Sequence, residues 1–521
     1  MSEEKGERTV RPGAGYGDRV AERLRSCAGA GRLEAADAVG EAGDAACRAL
    51  VRVELAVSEG TLQEAGYQAY GCPATLACAS EVAARAKGAS VLMAAAISER
   101  EIGAALGLAP SKETSAELAV EALHAALGSA VSLGLELSAQ DQTADRRGVL
   151  VGMSGGVDSA VAAMLLQREG YRVVGTTLKL WNDPASSDDR SCCSPVTVRR
   201  ARRVAHSLGI PHLTVDATEV FHSQVVQYFV DEYRLGRTPN PCAKCNARIR
   251  LGLMLDLARR LGLTWIATGH YARLTGDPPF LTRGVDRSKD QSYVLAEVSP
   301  DILRQAIFPL GAMTKVEVRA LAAQAGLEGH AAPESQEICF VPDDDHRRFL
   351  RERLGERSGS IVDRGGRIVG RHSGTYNFTI GQRKGLGIAA REPRYVVAID
   401  AGGRQVTIGE ASESAVGAVT VGHLTRHRPG LIARGCVQLR SASAAVPAHL
   451  GSGEPADAAS SPEAEVPIVL EEAACGVAAG QTAVLYDGEV VTLAGTIVST
   501  ARWKDRGESL PRGRGRTGPV I

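Results

Sequence analysis

The sequence predicts a multidomain protein built around an α/β domain with a parallel sheet, followed by two small β modules. The first observation is the length of 521 residues, which at roughly 150 residues per domain corresponds to three or four domains. The second is the alternation of strand-like and helix-like segments between residues 148 and 341, which is typical of βαβ units. The third is the change beyond Phe349 to short alternating runs separated by glycines, which favours antiparallel β modules.

Composition excludes several classes of protein. Hydrophobic residues make up 44% and charged residues 23%, values that exclude a mostly disordered or collagen-like chain. Lys and Arg (60) balance Asp and Glu (60), so any nucleic-acid-binding surface must be local. No apolar run approaches the roughly 20 residues of a membrane span and no signal peptide is evident, so we expect a cytoplasmic protein without a membrane partner. Eleven cysteines in a reducing compartment indicate metal-binding, catalytic or buried thiols.

The chain divides into six segments. An Ala-rich zone over 1–137, with helices predicted at Ala74–Ala86 and Ala116–Leu127, is followed by a polar linker over 138–147. The α/β domain is expected over 148–345, with its first elements predicted in the order Val149–Met153, Ser159–Glu169, Val173–Leu178, Val196–Leu208 and Leu213–Val215. Residues 346–411 and 412–503 are predicted as the β modules, the second with a flexible insertion over 441–465, and residues 504–521 as a disordered basic tail.

A phosphate-binding loop is predicted where the first strand of the α/β domain meets its helix. Its residues are Gly152, Met153, Ser154, Gly155, Gly156, Val157, Asp158 and Ser159. The glycines allow close backbone approach to an oxyanion, and the helix N-terminus offers unpaired N–H groups. Asp158 is expected to help hold Mg²⁺ beside the phosphates. The Walker lysine is absent, which argues against kinase-style chemistry; the alternative is a tight turn capped by Ser and Asp.

Two polar segments carry cysteines in the same domain. Cys242 and Cys245 lie at the start of a helix predicted to run from Asn246 to Leu261, and a thiol there, beside Lys244 and Arg248, is expected to have a lowered pKa. Cys339 lies in a later polar loop. The residues alone leave open a reactive set, coincidental thiols, and a zinc site whose fourth ligand would be Cys192, Cys193 or His270.

Two further features can be explained either by a functional role or by an ordinary structural one. The cluster Arg199, Arg200, Arg202 and Arg203 on a predicted helix is by default a solvated face, with phosphate contact as the other interpretation. His270 follows a strand end, where ligands of α/β proteins gather, but it also fits a satisfied core histidine.

The motifs in residues 148–500 resemble those of bacterial tRNA-specific 2-thiouridylases. They are, in order, SGGVDS, GRTPNPCxxCN (236–246), ATGHYAR (267–273), KDQSYVL (289–295), SQEICF (335–340), a GQRKGLG segment (381–387) and GQTAVLYDGE (480–489). SGGVDS itself is similar to the PP-loop of N-type ATP pyrophosphatases. The resemblance implies an adenine nucleotide alpha hydrolase-like domain, ATP with Mg²⁺, and replacement of the 2-oxygen of the wobble uridine by sulfur.

The same resemblance implies roles for single residues. Cys245 is the nucleophile and Cys339 carries the persulfide, with a Cys245–Cys339 disulfide formed in turnover. Many relatives have Asp where this chain has Cys242, which leaves open a [4Fe–4S] cluster held by Cys242, Cys245 and Cys339. Leu178 and Gly269 join the loop in binding the nucleotide. The implied contacts to tRNA or its base are Asn240, Pro241, His270, Lys289, Asp290, Gln291, Arg394, Tyr395 and Gln481. The implied partners are the tRNA anticodon arm and a sulfur donor, either a cysteine desulfurase or a relay protein.

The N-terminal zone resembles an α+β iron–sulfur scaffold of the NifU type. Residues 16–20 fit its opening, and residues 70–74 fit its strand–cysteine–helix turn, so Cys47 and Cys72 are candidate ligands. Arg48 replaces the usual Gly-Asp, and Thr114 stands where a third cysteine is expected. The ligand set is therefore incomplete, and a degenerate docking domain is the alternative. For the whole chain, the alternatives are another PP-loop adenylating ligase and a non-catalytic iron–sulfur carrier.

Overall fold

The computed structural model describes residues 16–134, 145–181, 194–327, 338–341, 345–428, 430, 432–451 and 464–503. Cys192, Cys193, most of the predicted linker and the predicted tail lie outside the described residues. In the part of the chain that is described, no helix is long and apolar enough to cross a membrane.

The N-terminal unit is an α+β domain, as predicted. Its elements are α1 (Asp18–Ser26), β1 (Ala38–Asp44), β2 (Ala49–Ser58), β3 (Thr61–Tyr70), α2 (Pro73–Ala86), α3 (Val91–Ala94), α4 (Glu99–Leu106), a 3₁₀ turn (Pro110–Lys112) and α5 (Glu113–Ser132). The three strands form an antiparallel sheet in the order β1-β2-β3. Helix α5 lies against Gly40 of β1, where an added Cβ would come within 2.2 Å of the Ala122 carbonyl oxygen. Only glycine permits this close approach of helix and strand.

The α/β domain contains the predicted parallel sheet. Its elements are β4 (Asp145–Gly152), α6 (Val157–Arg168), β5 (Arg172–Lys179), α7 (Pro195–Ser207), β6 (His212–Asp216), α8 (Thr218–Phe221), a π-helix (His222–Val226), α9 (Gln227–Arg234), α10 (Pro241–Lys244), a second π-helix (Cys245–Arg250), α11 (Leu251–Arg260), β7 (Leu263–Ala267), β8 (Ala272–Thr275), β9 (Phe280–Arg283), α12 (Ser292–Leu295), α13 (Pro300–Leu303), β10 (Ala306–Ile307) and α14 (Lys315–Gln324). The strand order is β10-β7-β4-β5-β6, with every pairing parallel. The predicted phosphate loop therefore leaves a central strand, at the edge of the sheet where ligands of such folds bind.

Two β modules follow. The central module contains α15 (His346–Leu354), β11 (Gly359–Val362), β12 (Ile368–His372), a 3₁₀ turn (Thr375–Asn377), β13 (Tyr395–Asp400) and β14 (Gln405–Gly409). The C-terminal module contains a 3₁₀ turn (Ala411–Ser414), β15 (Ala415–Arg426), β16 (Arg434–Gln438), β17 (Val446–Leu450), β18 (Val466–Cys475), β19 (Thr482–Asp487) and β20 (Val490–Arg502). Pairing of β15 with both β18 and β20 closes the C-terminal strands into a barrel.

Several sequence-based expectations need correction. Strand β17 lies inside the predicted flexible insertion, because its residues pair with both β16 and β18. The helix predicted after Cys245 begins as the π-helix Cys245–Arg250 and becomes α-helical only in α11. Strands β11 and β14 of the central module pair in parallel, although an antiparallel module was expected. The hairpin β8–β9 of the α/β domain joins the barrel sheet through β20.

The arginine cluster on α7 is not a solvated face. Arg199 forms an ion pair with Glu121 at 3.4 Å, Arg203 pairs with Glu117, and Arg202 is completely buried. Both glutamates lie on α5, so this face of α7 is covered by the N-terminal unit. The charges of Arg199, Arg202 and Arg203, which the sequence left open for phosphate contact, therefore face glutamates of the N-terminal unit.

Candidate functional site

The predicted phosphate loop forms a tight turn between β4 and α6. Gly155 has a φ of +71°, a backbone conformation that favours glycine. The Ser154 N–H donates to Oγ of Ser159 at 3.2 Å, and the Ser159 hydroxyl donates to the carbonyl of Gly156 at 3.0 Å. The loop is thus held by its own side chains at the N-terminus of α6, where backbone N–H groups favour a phosphate.

Asp158, on the first turn of α6, has partners that the sequence did not reveal. Its carboxylate accepts a hydrogen bond from Tyr271 at 2.8 Å and lies 2.6 and 2.8 Å from Nζ of Lys315. Burial and the nearby Asp158 raise the pKa of Tyr271, so its hydroxyl stays protonated and donates. The carboxylate expected to help hold Mg²⁺ is engaged by Lys315 and is not a free metal ligand in this structure.

Gly269 lies directly against this helix start. A Cβ at Gly269 would come within 2.8 Å of the Asp158 carbonyl carbon and 2.9 Å of the Ser159 nitrogen. The neighbouring His270 is buried, with Nδ1 at 2.6 Å from the Thr268 hydroxyl. Burial, with Arg250 nearby, lowers the pKa of His270 to about 3, so the ring is neutral. The sequence therefore located the strand end correctly, and the structure places the imidazole inside the protein.

Residues 289–291 (KDQ) form hydrogen bonds with the backbone near Gly269 and with the β8–β9 hairpin. The Asp290 carboxylate lies 3.0 Å from the Arg283 guanidinium and accepts from the backbone N–H of Gly284 at 3.0 Å. The Gln291 side chain accepts from the N–H of Tyr271 at 3.0 Å. Lys289 precedes them in the same loop. The Asp290 and Gln291 contacts connect the β8–β9 hairpin to the loop that carries Gly269.

The Pro-containing loop before Cys242 is fastened to the C-terminal barrel. Asn240 caps α10 by accepting from the Ala243 N–H at 3.2 Å, and Pro241 is the first residue of that helix. Gln481 donates to the carbonyls of Thr238 at 2.9 Å and Pro239 at 3.4 Å. Gln481 thus holds the loop residues that immediately precede Asn240 and Pro241, so the structure brings these three residues close together beside the cysteines.

The lowered pKa expected for a thiol here is wrong for Cys242. Its burial and the nearby Cys245 raise the pKa of Cys242 to about 11. The cations expected to counter this are engaged elsewhere. Lys244 is buried and lies 2.5 Å from Glu297, and the Arg248 guanidinium lies 6.0 Å from the Tyr228 ring. Cys242 is therefore a protonated thiol at neutral pH.

Cys245 and Cys339 share an aromatic cluster. Cys245, 6% exposed, belongs to this buried cluster, and the half-buried Cys339 packs against it. Phe340, next to Cys339, is its centre, with ring centroids 5.3 Å from Phe229 and 5.5 Å from Phe349. An aromatic anchor thus fixes the backbone that carries Cys339 against the element that carries Cys245.

Within the described part of the chain, the three central cysteines belong to no group of candidate metal ligands. Cys242, Cys245 and Cys339 are not joined in a disulfide, and among the described residues no three His, Cys, Asp or Glu side chains are grouped to hold a metal ion. The [4Fe–4S] cluster considered for these cysteines does not fit this arrangement. Of the fourth zinc ligands considered, His270 belongs to no such group, and Cys192 and Cys193 lie outside the described residues.

Replacing Phe340 by Ala tests the aromatic anchor. We expect a loss of about 3–5 kcal/mol in the free energy of unfolding, because a buried ring is removed. We also expect loss of the sulfur transfer that the family resemblance implies for Cys339, because its backbone is displaced. The control is Phe378→Ala, which removes a buried ring from the separate core of the central module. Thermal unfolding and product formation are measured well below both transitions. Wild-type sulfur transfer by folded Phe340→Ala would contradict the anchor.

A cation-lined cleft lies beside the Pro-containing loop. It has a volume of about 450 Å³ and is lined by residues that include Arg234, Arg357 and Arg404. Gly236 of the loop touches its wall, because a Cβ there would lie 3.1 Å from Ile399. The half-buried Arg394 and Tyr395 start β13 of the same module. The sequence had not singled out these three arginines, since they are spread over 171 positions with no shared motif.

The N-terminal unit holds an activated thiol without a ligand set. Cys72 precedes α2, and its Sγ lies 3.5 Å from the Thr75 hydroxyl and 3.7 Å from the Ser115 hydroxyl. Burial raises the pKa of Cys72, but hydrogen bonds from Thr75, Ser115 and Tyr16 outweigh it and lower the pKa to about 6. Ser115, rather than Thr114, is thus the residue beside Cys72. The exposed Cys47 lies in the β1–β2 turn, and no metal-binding group of three is present among the described residues.

Comparison with known proteins assigns each part of the chain. Family models match as the tRNA methyl transferase HUP domain (147–343), the tRNA methyl transferase PRC-barrel domain (347–410), the Aminomethyltransferase beta-barrel domain (426–497) and the NifU-like N terminal domain (15–130). The chain is 46% identical over 498 residues to the "Bifunctional protein NifU/MnmA" of Rubrobacter xylanophilus, covering 92% of this chain and 98% of that protein.

Further relatives match parts of the chain. The "tRNA-specific 2-thiouridylase MnmA" of Carboxydothermus hydrogenoformans is 43% identical over 368 residues, covering 68% of this chain and 98% of that protein. Among solved structures, the N-terminal NifU-like protein from Brucella abortus is 20% identical with a TM-score of 0.19, covering 20% of this chain and 88% of that one. NMN synthetase from Francisella tularensis is 17% identical with a TM-score of 0.25, covering 41% and 79%.

Proposed function

Because the chain belongs to the family of bifunctional NifU/MnmA proteins, with 2-thiouridylase domains behind a NifU-like domain, we propose that it thiolates tRNA. The proposed reaction replaces the 2-oxygen of the wobble uridine by sulfur, at the expense of ATP, in the cytoplasm. The observation that carries the proposal is the shared cluster of Cys245 and Cys339 in the domain that also holds the SGGVDS loop. An adenylating ligase has no use for these two thiols, and a non-catalytic carrier leaves the loop without a role.

The first proposed step activates the base. The uridine 2-oxygen attacks the α-phosphate of ATP, pyrophosphate leaves, and the oxygen becomes part of an AMP leaving group. The backbone N–H groups of the loop and the Lys315 ammonium face the phosphates and stabilise the charge that develops there. The second step places sulfur on the activated carbon.

Sulfur arrives as a persulfide on Cys339. Its terminal sulfur attacks C2 of the base and AMP departs with the former 2-oxygen. The Cys245 thiolate then attacks Sγ of Cys339, which breaks the sulfur–sulfur bond, releases the 2-thiouridine and leaves a Cys245–Cys339 disulfide. A dithiol reductant reopens that disulfide, and a persulfide donor such as a cysteine desulfurase or a relay protein reloads Cys339. Neither Cys242 nor a metal cluster takes part.

The test is an assay of purified tRNA for 2-thiouridine after incubation with the full chain. Reactions contain ATP and a persulfide-generating sulfur source, and nucleosides from digested tRNA are quantified by mass spectrometry. We expect 2-thiouridine only when both ATP and the sulfur source are present. Formation of AMP and pyrophosphate without 2-thiouridine would instead favour another adenylating ligase.

Binding of the tRNA anticodon arm is expected to depend steeply on salt. Because the net formal charge is zero, the phosphates must be met by local cations, and we propose the cleft with Arg357 and Arg404 as one such place. Replacing both arginines by Gln should reduce the slope of log Kd against log salt by about two. Arg25→Gln, on α1 of the N-terminal unit, is the control. A slope unchanged by the double substitution would exclude this cleft.

A further inference from the structure

The N-terminal unit covers an edge of the parallel sheet. Strand β6 is an edge strand, and the N–H of its first residue, His212, donates to the Ala95 carbonyl at 3.0 Å. Helix α5 touches the same strand at Gly128, where a Cβ would lie 1.8 Å from the Thr214 carbonyl oxygen. The two domains also share one hydrophobic core. The N-terminal unit therefore packs closely against the α/β domain.

Buried polar groups concentrate at this contact. Arg202 is completely buried and lies 3.9 Å from Glu99 of α4. The His124 ring of α5 stacks on His212 with centroids 6.2 Å apart and meets His206 edge-on at 5.3 Å. Buried polar groups are costly unless their partners are fixed, so this contact specifies how the two domains dock.

From His212 a hydrogen-bonded chain reaches the phosphate loop. His212 Nε2 lies 2.9 Å from the Thr177 hydroxyl, and that hydroxyl donates to the Met153 carbonyl at 2.7 Å. A carbonyl only accepts, so the single hydroxyl proton goes to Met153 and His212 must donate through Nε2–H. Burial, with His206 and Arg202 nearby, lowers the pKa of His212 well below its usual value, so the ring is neutral.

Fixing the Met153 carbonyl also fixes the next N–H. The carbonyl of Met153 and the N–H of Ser154 belong to one planar peptide unit, so holding the first orients the second. The Met153 N–H donates to the Thr176 carbonyl at 2.8 Å, which holds the other side of the residue. The Ser154 N–H in turn donates to Oγ of Ser159 at 3.2 Å, inside the phosphate loop.

We propose that Thr177 and His212 are positioning residues for the ATP loop, and that the N-terminal unit completes the ATP site by holding His212 in place. Within this chain the NifU-like domain is therefore a structural part of nucleotide binding, independent of any cluster or sulfur that it carries. The inference rests on the ATP use proposed above and not on sulfur transfer.

The first experiment measures the affinity of the full chain for a non-hydrolysable ATP analogue by calorimetry. Thr177→Val removes the hydroxyl at nearly constant volume, and we expect about 3- to 10-fold weaker binding, the equivalent of one hydrogen bond. Thr177→Ser restores the donor and should bind within about twofold of wild type. The affinity for tRNA, which a general loss of folding would also lower, should remain unchanged. Equal ATP affinity of Thr177→Val and wild type would overturn the proposed positioning role of Thr177 and His212.

The second experiment separates the domains without cutting the chain. Gly128→Ala places a methyl against the Thr214 carbonyl, while the control Gly103→Ala, on α4 of the same unit, meets nothing within 4 Å. We expect weaker ATP binding for Gly128→Ala alone. A folded Gly128→Ala protein that binds ATP like Gly103→Ala would refute the role of the N-terminal unit. If Gly128→Ala fails to fold, the comparison of Thr177→Val with Thr177→Ser tests the proposal instead. Absence of ATP binding by wild type would instead refute the proposed function.

Discussion

We expect Cys245→Ser and Cys339→Ser each to abolish thiolation, on the order of 10³-fold or more, and Cys242→Ser to retain most of it. In the proposed mechanism the first two substitutions remove the attacking thiol and the persulfide carrier, which no other residue replaces. Cys242 differs because its pKa is raised to about 11, so it contributes almost no thiolate near neutral pH. The measurement is 2-thiouridine in digested tRNA over single and multiple turnovers.

The same three variants decide between the persulfide and the cluster mechanisms. Prepared without oxygen and analysed for iron and sulfide, the wild-type protein and all three variants should contain no cluster at these cysteines, in agreement with the lack of a three-ligand group among the described residues. Pyrophosphate release should persist in Cys245→Ser and Cys339→Ser, because adenylation precedes sulfur transfer. If Cys242→Ser loses iron and thiolation together, the cluster mechanism holds and the two-cysteine route is wrong.

Most elements of the fold could be predicted from local patterns in the sequence. The alternation of strands and helices predicted β4 through β6 within one to four residues at each end, because each element is encoded by its own periodicity. The SGGVDS loop was found for the same reason, since the glycines, the strand and the helix start are contiguous. Strand β17 was missed because its five residues, rich in Ala and Pro neighbours, are made a strand by pairing on both sides.

Long-range pairings had no signal in the sequence. Lys315 lies 157 positions beyond Asp158, and nothing near it distinguishes it from other lysines at helix starts. The arginines of α7 looked like a solvated face because their partners, Glu117 and Glu121, belong to another domain. The lowered pKa expected for a thiol at this helix start was wrong for Cys242 for a related reason. The helix start was visible in the sequence, but the burial of Cys242 and the ion pair of Lys244 with Glu297 were not.

Removing the carboxylate of Asp158 should abolish adenylation. Asp158 holds the Lys315 ammonium at 2.6 Å and accepts from Tyr271 at 2.8 Å, so it keeps a positive charge beside the phosphate loop. In Asp158→Ala that charge is released from its position, and we expect pyrophosphate release to fall by about 10²- to 10³-fold. Lys315→Met should have a similar effect, because it removes the charge itself.

Asp158→Asn distinguishes charge from hydrogen bonding. The amide oxygen can still accept from Tyr271, but it no longer holds Lys315 by an ion pair, so we expect activity much closer to Asp158→Ala than to wild type. Lys87→Met, which breaks an exposed ion pair with Glu64 in the N-terminal unit, is the matched control and should be neutral. The affinity for tRNA should stay within about twofold in every variant, since the loop serves the nucleotide. Thiolation at the wild-type rate by Asp158→Ala would show that this loop does not activate ATP, and it would refute the assignment of the loop as the ATP site.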